Sequence, residues 1–583
     1  MLPHTRTQLQ LSTGSTPEDW QVAERLSNMP GRLPSFEETI LSKELEMLRA
    51  FASPLLTLPL ELIDRVLCNL DLRSLLKCKG VCKKLKERVE HAKSIQYIME
   101  LDICGQEMNP NNDWSVADSF KSLRQYQSAW EQLEGPSEST SPIVVPMKNG
   151  GLWELYGGVL AQSDEDGRFY FMRLPSTIRH IKQETWEIIP DIPDIRDFGM
   201  DPGQNLLVWI TAPTPASPTL SLHLRTLRTA EKHPHARHDI ICHDQCTHDG
   251  RWHYSIKIMQ DYIGLWAFFR PWGDADPNLK RTNFLVWNWK EGQLELDIST
   301  PYTQSFTFAS NRHVVLADRY DGPFQADGPE ETEAYLTLID FKAEGATQKS
   351  LDEVKNAIKL RYPTRAQGAS YRDFDISSEP APGWTPGKDD RTPFYVAKEN
   401  RVFTVTITAE MEGGRDLAFY HFIPWSVFRG CLNRLDTSQR RELVWSEWAP
   451  AGTRLLRTSA PASSVWVCFT FGFRCIASVF LKGQGDQGFT FAAHIYDFNQ
   501  LSLQREQIKG GGSADNCKTI LETSKLKGQG TIWADIVETS LPFRRFTKPL
   551  LVRPWPSALP LMCTADHIVL VDMQKKEYSV FTV

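Results

Sequence analysis

The sequence predicts a two-part chain, helical to about residue 142 and all-β from residue 143 onward. Three observations predict it. Between Ser35 and Trp130 the apolar residues recur at spacings of three and four, the period of amphipathic helices. Pro136-Ser137-Glu138-Ser139-Thr140-Ser141-Pro142 then interrupts the pattern as a linker. From Ile143 onward, short runs of β-branched and aromatic residues alternate with turn residues, in a chain holding 29 Phe and 18 Trp. A length of 583 residues fits a small N-terminal module followed by one large domain.

Composition narrows the class. Apolar residues make up 41% and charged residues 23%, ordinary globular usage, so most of the chain can bury a core. A net charge of −7 carries no basic signature, so no nucleic acid is expected as a partner. Met1 to Gln10 holds no apolar run of signal-peptide length, and no stretch approaches the ~18 apolar residues of a membrane span. No membrane is therefore expected as a partner, and the expected location is intracellular, in cytoplasm or nucleus. Eleven scattered cysteines do not form the dense pattern of a disulfide scaffold and read as buried thiols.

Residues 1–34 read as a disordered tail with a short helix near Glu18–Leu26. Ser35 is a candidate N-cap, with Glu37 and Glu38 in the first turn and Leu41, Leu45 and Leu48 along one face. The next run, Leu58-Pro59-Leu60-Glu61-Leu62-Ile63, continues through Val66-Leu67, Leu70, Leu75-Leu76, Val81-Cys82 and Leu85. Pro59 suits the opening of a first helix, with Leu62, Ile63, Val66, Leu67 and Leu70 on one face. Asp71 caps a second helix carrying Leu72, Leu75 and Leu76. Gly80 breaks it, and Val81, Cys82, Leu85 and Val89 stripe a third. About 40 residues cannot bury a core alone. The apolar surplus implies a partner surface such as a helical groove.

This run resembles an F-box, the helical module that joins a protein to the Skp-type adaptor of a cullin–RING ubiquitin ligase. The resemblance covers residues 58–88 within a helical segment spanning 35–90. It implies adaptor contacts at Leu58, Pro59, Leu62, Ile63, Val66, Leu67, Leu70, Leu75, Leu76, Val81 and Cys82. One departure is Leu85, where the family often has Trp. Residues 91–142 then form a helical connector and linker, through Ile95, Ile98, Leu101, Leu123 and Trp130.

Over 143–583, strands are expected at Leu152–Ala161, Leu206–Thr211, Ile263–Phe269, Phe284–Trp289, His313–Ala317 and Tyr335–Ile339. Others are expected at Arg401–Thr408, Leu417–Phe422, Val465–Phe471, Cys475–Leu481, His494–Phe498 and Ile568–Val571. In 401–408, Phe403, Val405 and Ile407 alternate with threonines, the period of a half-buried strand. This strand density suggests four-stranded sheets repeated radially, a β-propeller, at ~40–50 residues per blade about seven blades. A pair of all-β sandwiches is the alternative. Trp153-Glu154-Leu155-Tyr156-Gly157-Gly158 and Trp448-Ala449-Pro450-Ala451-Gly452-Thr453-Arg454 are similar to stretches of fungal F-box proteins with a propeller-like C-terminal region. Two insertions are expected: a helix opened by the capping box at Ser350–Glu353, and a long loop over 366–393.

Lys77, Lys79, Lys83, Lys84, Lys86 and Arg88 read as a solvated helix face. Cys78 and Cys82 read as buried thiols. His233, His235, His238, His243, His248 and His253 cluster with Cys242 and Cys246, ligand types that zinc prefers, but their spacing matches no standard finger. A polar propeller loop is the reading, with no metal site. No G-x-S-x-G, P-loop or Rossmann fingerprint appears, and Gly510-Gly511-Gly512-Ser513 lacks the lysine of a phosphate cradle. No cofactor is expected and no catalytic residue can be nominated. The resemblance implies a non-catalytic substrate receptor of a Skp–cullin–F-box ligase, its propeller holding a target protein; the alternative is an interaction scaffold acting outside ubiquitylation.

Overall fold

The structure is a computed structural model; it describes residues 54–583 except 133–141, 215–217, 245–249, 272–280, 322–331, 439–440, 459–467, 483–488, 510–515 and 551–558. The expected tail, the helix after Ser35, the linker after Pro136 and the glycine run at 510–512 lie outside the described residues.

Six helices lead the described chain: α1 Pro54–Thr57, α2 Leu60–Leu67, α3 Leu72–Cys78, α4 Lys83–His91, α5 Lys93–Cys104 and α6 Val116–Gln132. Asp71 caps α3 by accepting from the Ser74 backbone N–H. Gly105, at φ 66°, ends α5 in the left-handed conformation that favours glycine. Ile63, Leu67, Leu75, Leu85, Val89, Ala92 and Ile95 form the core of the first helices. Arg88 on α4 pairs with Asp64 on α2, and Asp102 on α5 accepts from the Leu72 N–H at 2.8 Å.

Seven sheets follow as the blades of a propeller, each with at least four antiparallel strands from its inner strand outward; the third and fourth add a short parallel fifth strand, Lys349–Ser350 and Glu442–Leu443. Blades 1 to 6 occupy 153–188, 195–244, 250–299, 303–361, 369–458 and 470–549. Blade 7 combines three strands of 561–582 with Ile143–Pro146, which pairs antiparallel with Glu577–Thr582. The ring is thus closed by a strand from its own beginning, which ties the last blade to the first and leaves each blade only a short outer edge.

Most expected strands fall where the sequence placed them, with corrections. Of Val465–Phe471, only Thr470–Phe471 is a strand, and 465–467 lie outside the described residues. Leu152–Ala161 is a hairpin, Trp153–Tyr156 and Val159–Ser163, turned at Gly157-Gly158 with φ of 56° and 78°. The alternating strand, observed as Val402–Met411, is buried on both faces, because second strands lie between neighbouring blades. Thr404 is fully buried and meets Thr470 of the next blade at 2.8 Å. The long loop of 366–393 contains the innermost strand of blade 5, Ala369–Ser377, and the capping box at Ser350 opens only a 3₁₀ turn, Leu351–Glu353.

Helices α5 and α6 share a core with the propeller. Tyr97, Leu101, Leu123, Tyr126 and Trp130 pack with Phe394, Phe498, Phe543 and Phe546. Hydrogen bonds fix the contact: Tyr126 Oη and Trp130 Nε1 both donate to the Ala565 carbonyl, at 2.8 and 3.1 Å, and Asn499 donates to Ile103. Glu131 joins Arg544 at 3.2 Å and Glu100 joins Arg505 at 2.6 Å. A short strand, Gln106–Met108, pairs with Phe394–Val396, forming a two-stranded sheet separate from blade 5.

Candidate functional site

The first surface is the helical module. On α2 successive side chains turn by about 100°, so Leu60, Leu62, Ile63, Val66 and Leu67 spread over an arc of about 160°, of which only the part holding Ile63 and Leu67 is covered by neighbouring helices. Ile63 and Leu67 turn inward and are buried at 0% and 1% exposure. Leu60, Leu62 and Val66 turn outward at 43%, 42% and 44%. Leu76 and Val81 are also exposed, as is Pro59, while Leu58, Leu70 and Cys82 are half-buried. Leu75 is buried with Ile63 and Leu67. Of the residues expected to touch an adaptor, these three belong to the buried core of the helices. Leu60 belongs to the exposed apolar surface although it was not among the expected contacts.

Of the basic residues nearby, Lys79 pairs with Glu90, Lys84 donates to the Leu56 carbonyl and Arg88 pairs with Asp64, so half of that charge is structural. Cys78 and Cys82 are free thiols packed against the helical core.

The second surface is the axial channel of the propeller, a cavity of about 350 Å³ walled mainly by inner strands. Glu154 of blade 1, Asp197 of blade 2, Lys257 of blade 3 and Asp375 of blade 5 line it, together with Glu379. Each is half-buried, reaching only the confined space of the channel. Burial raises the carboxyls of Glu154, Asp197 and Asp375 to about 7, and that of Glu379 to about 8. Burial likewise lowers the Lys257 ammonium, against the pull of Glu379, Glu154 and Asp375.

One end of the channel is crossed by the segment after Ser377. Ala381 N–H donates to Tyr156 Oη at 2.9 Å, Trp384 Nε1 to Asp201 at 3.1 Å, and Gln260 to the Gly383 carbonyl at 3.1 Å. The segment therefore spans from blade 5 to the turns of blades 1, 2 and 3. Its far end meets the helices, with Tyr97 Oη donating to the Pro393 carbonyl at 3.2 Å. No sequence signal pointed to the channel cluster, whose members sit on strands remote in sequence.

The histidine-rich stretch does not converge. His233 is buried edge-on to Trp289 and bonds the Gln204 carbonyl, whereas Cys242 is exposed on an outer strand. Cys246 and His248 lie outside the described residues. Among the described residues no three His, Cys, Asp or Glu side chains are placed to hold a metal. No helix among them is long and apolar enough to cross a membrane.

Comparison with known proteins adds the following. The family model described as the F-box domain matches residues 55–96. No curated protein matches the chain. Among solved structures, the chain is similar to Drosophila Semaphorin 1b, extracellular domains 1-2, at 9% identity and a TM-score of 0.35, over 76% of this chain and 86% of that one. It is also similar to the WD40 domain of SCAP from fission yeast, at 10% identity and a TM-score of 0.28, over 77% of this chain and 96% of that one. Likeness at this level carries no argument about function. The match at 55–96 coincides with the helices whose apolar residues stand exposed, and those helices are fused to a closed ring of seven sheets: the chain carries an F-box domain ahead of a seven-bladed β-propeller.

Proposed function

We propose that the protein is the substrate-recognition subunit of a Skp–cullin–F-box ubiquitin ligase. An F-box joined to a propeller fits a substrate receptor in general. The observation that carries the finer reading is the apolar surface of Pro59, Leu60, Leu62, Val66, Leu76 and Val81, exposed on a module whose own core is already filled. Burying each aliphatic side chain against an adaptor contributes ~1.5–3 kcal/mol, offset in part by the costs of association. Leu58, Leu70 and Cys82 border this surface.

The receptor acts by proximity. Helices α5 and α6 share a core with the propeller, so a target held by the propeller keeps a fixed distance from the adaptor. That raises the effective concentration of target lysines near the ubiquitin thioester, and the chain performs no bond chemistry itself.

The test is a pull-down of full-length protein beside a Leu62→Glu/Val66→Glu variant, read for Skp-type adaptor and cullin. Wild type recovering both, with the variant recovering neither, supports the receptor. Adaptor without cullin points to a scaffold outside ubiquitylation. Neither protein recovered by folded wild type overturns the adaptor reading.

A further inference from the structure

The axial channel has the composition of a binding site and no function in adaptor docking. Four carboxyl groups, Glu154, Asp197, Asp375 and Glu379, face one amine, Lys257, across a single cavity. The carboxyl groups outnumber the amine in this lining. Among the described residues Lys257 makes no ion pair or hydrogen bond, and its ammonium lies 5.9 Å from the Phe306 ring centroid. Glu154 and Asp197 accept only from the backbone, at Leu155 and Phe198, which leaves acceptor positions unused.

A second observation is independent of charge. Ser377 lines the same cavity, is only 6% exposed, and its hydroxyl has no hydrogen-bond partner. The Tyr254 hydroxyl, also in the lining, is without a partner too. Buried polar groups left unpaired are costly, and native structures keep few of them without a reason.

We propose that this channel binds an organic cation, the guanidinium or alkylammonium group of a basic side chain or of a polyamine. Charge selects a cation. Size and spacing select an organic one: the cavity of about 350 Å³ falls in the range of small-ligand pockets, while among the described residues no three carboxylates are placed to hold a metal ion. Aromatic residues, Trp266 and Phe306 among them, belong to the same lining, and aromatic rings attract organic cations. The raised carboxyls fit this reading, since an entering positive charge replaces the water that burial has excluded and restores their ionised form. The crossing segment that carries Glu379 closes the end nearest the F-box helices, so the cation enters from the opposite face. This inference does not depend on the adaptor and stands if the pull-down recovers none.

The experiment is isothermal titration calorimetry on the full-length protein above pH 8, where the carboxyls are ionised. The probes are spermidine, acetyl-Gly-Arg-Gly-amide, and the same peptide with neutral citrulline in place of arginine. Saturable one-site binding is expected for spermidine, the arginine peptide or both, and not for the citrulline peptide. Spermidine alone identifies a free polyamine as the guest, and the arginine peptide identifies a partner's side chain. Glu379→Gln and Asp375→Asn should each weaken binding at least about tenfold, and Lys257→Met should tighten it. Thermal melts confirm that each variant folds; if Glu379→Gln does not, Asp375→Asn carries the test. Absence of saturable binding to either cation at about millimolar concentration overturns the proposal. So does equal binding of the citrulline peptide, or unchanged binding by the folded carboxamide variants.

Discussion

Arg179 and Asp566, 387 residues apart, form a two-pronged ion pair where the last blade meets the first. The Nε–Oδ1 contact is 2.9 Å, and both side chains are buried, at 10% and 5% exposure. Arg179 also donates to the Phe394 carbonyl at 3.2 Å, and Ser176 donates to Asp566. One guanidinium thus ties blade 1, blade 7 and the segment that crosses the channel.

Removing one partner of this pair should destabilise the propeller by about 3–5 kcal/mol, because the other charge is left buried and alone. Burial pushes the Asp566 carboxyl up, but Arg179 beside it holds it below the usual carboxylate range. Its folded pKa is depressed, so its contribution is complete above the unfolded value and fades as pH falls through the folded one. Urea unfolding of wild type and Asp566→Asn should therefore give a large gap at neutral pH. The gap should narrow below about pH 4.

The inward and outward residues of α2 should separate in experiment. Leu62→Glu and Val66→Glu, on exposed positions, should leave the melting curve within about 0.5 kcal/mol of wild type while abolishing recovery of the adaptor. Ile63→Ala, at a fully buried position, should cost about 2–5 kcal/mol in the helical module. Hydrogen exchange of α2 to α4 reads the second effect directly.

Trp130 is 3% exposed, stacks under the Arg474 guanidinium at 4.6 Å from its ring, and bonds Ala565. Trp130→Ala should cost about 3–5 kcal/mol. The cost should fall on the seam between helices and propeller. Limited proteolysis should cut 93–132 in the variant many times faster than in wild type, leaving the propeller intact.

His421 is fully buried, with Nδ1 2.6 Å from Tyr362 Oη and the Trp445 and Trp448 rings against it. Burial lowers its pKa to about 3. The unfolded chain therefore binds the extra proton between about pH 6.5 and that value, so this contribution is lost as pH falls below about 6.5, by ~1.4 kcal/mol per unit. The four channel carboxyls act in the opposite sense, since their raised pKa values favour the folded state as pH falls. The difference between wild type and His421→Gln isolates the histidine. Chemical denaturation at about pH 7 and pH 5 should show wild type losing ground to the variant on acidification.

The sequence by itself determined the local pieces. The Leu-Pro opening and its apolar spacing marked the F-box, and runs such as Phe284–Trp289 and Cys475–Leu481 marked strands, because periodicity and β-propensity act over a few residues. Their density also carried the propeller and its blade number. Tertiary structure alone decided the rest. It sorted Ile63, Leu67 and Leu75 into the module's core and left Leu62, Val66 and Leu76 outside, since more apolar residues were present than one face can take. It buried the threonine side of 402–411 because a neighbouring blade covers it. It brought Glu154, Asp197, Lys257 and the Asp375–Glu379 segment into one channel from four places in the chain. Such contacts depend on ring closure between distant strands, and no local pattern encodes a distance that only the closed ring creates.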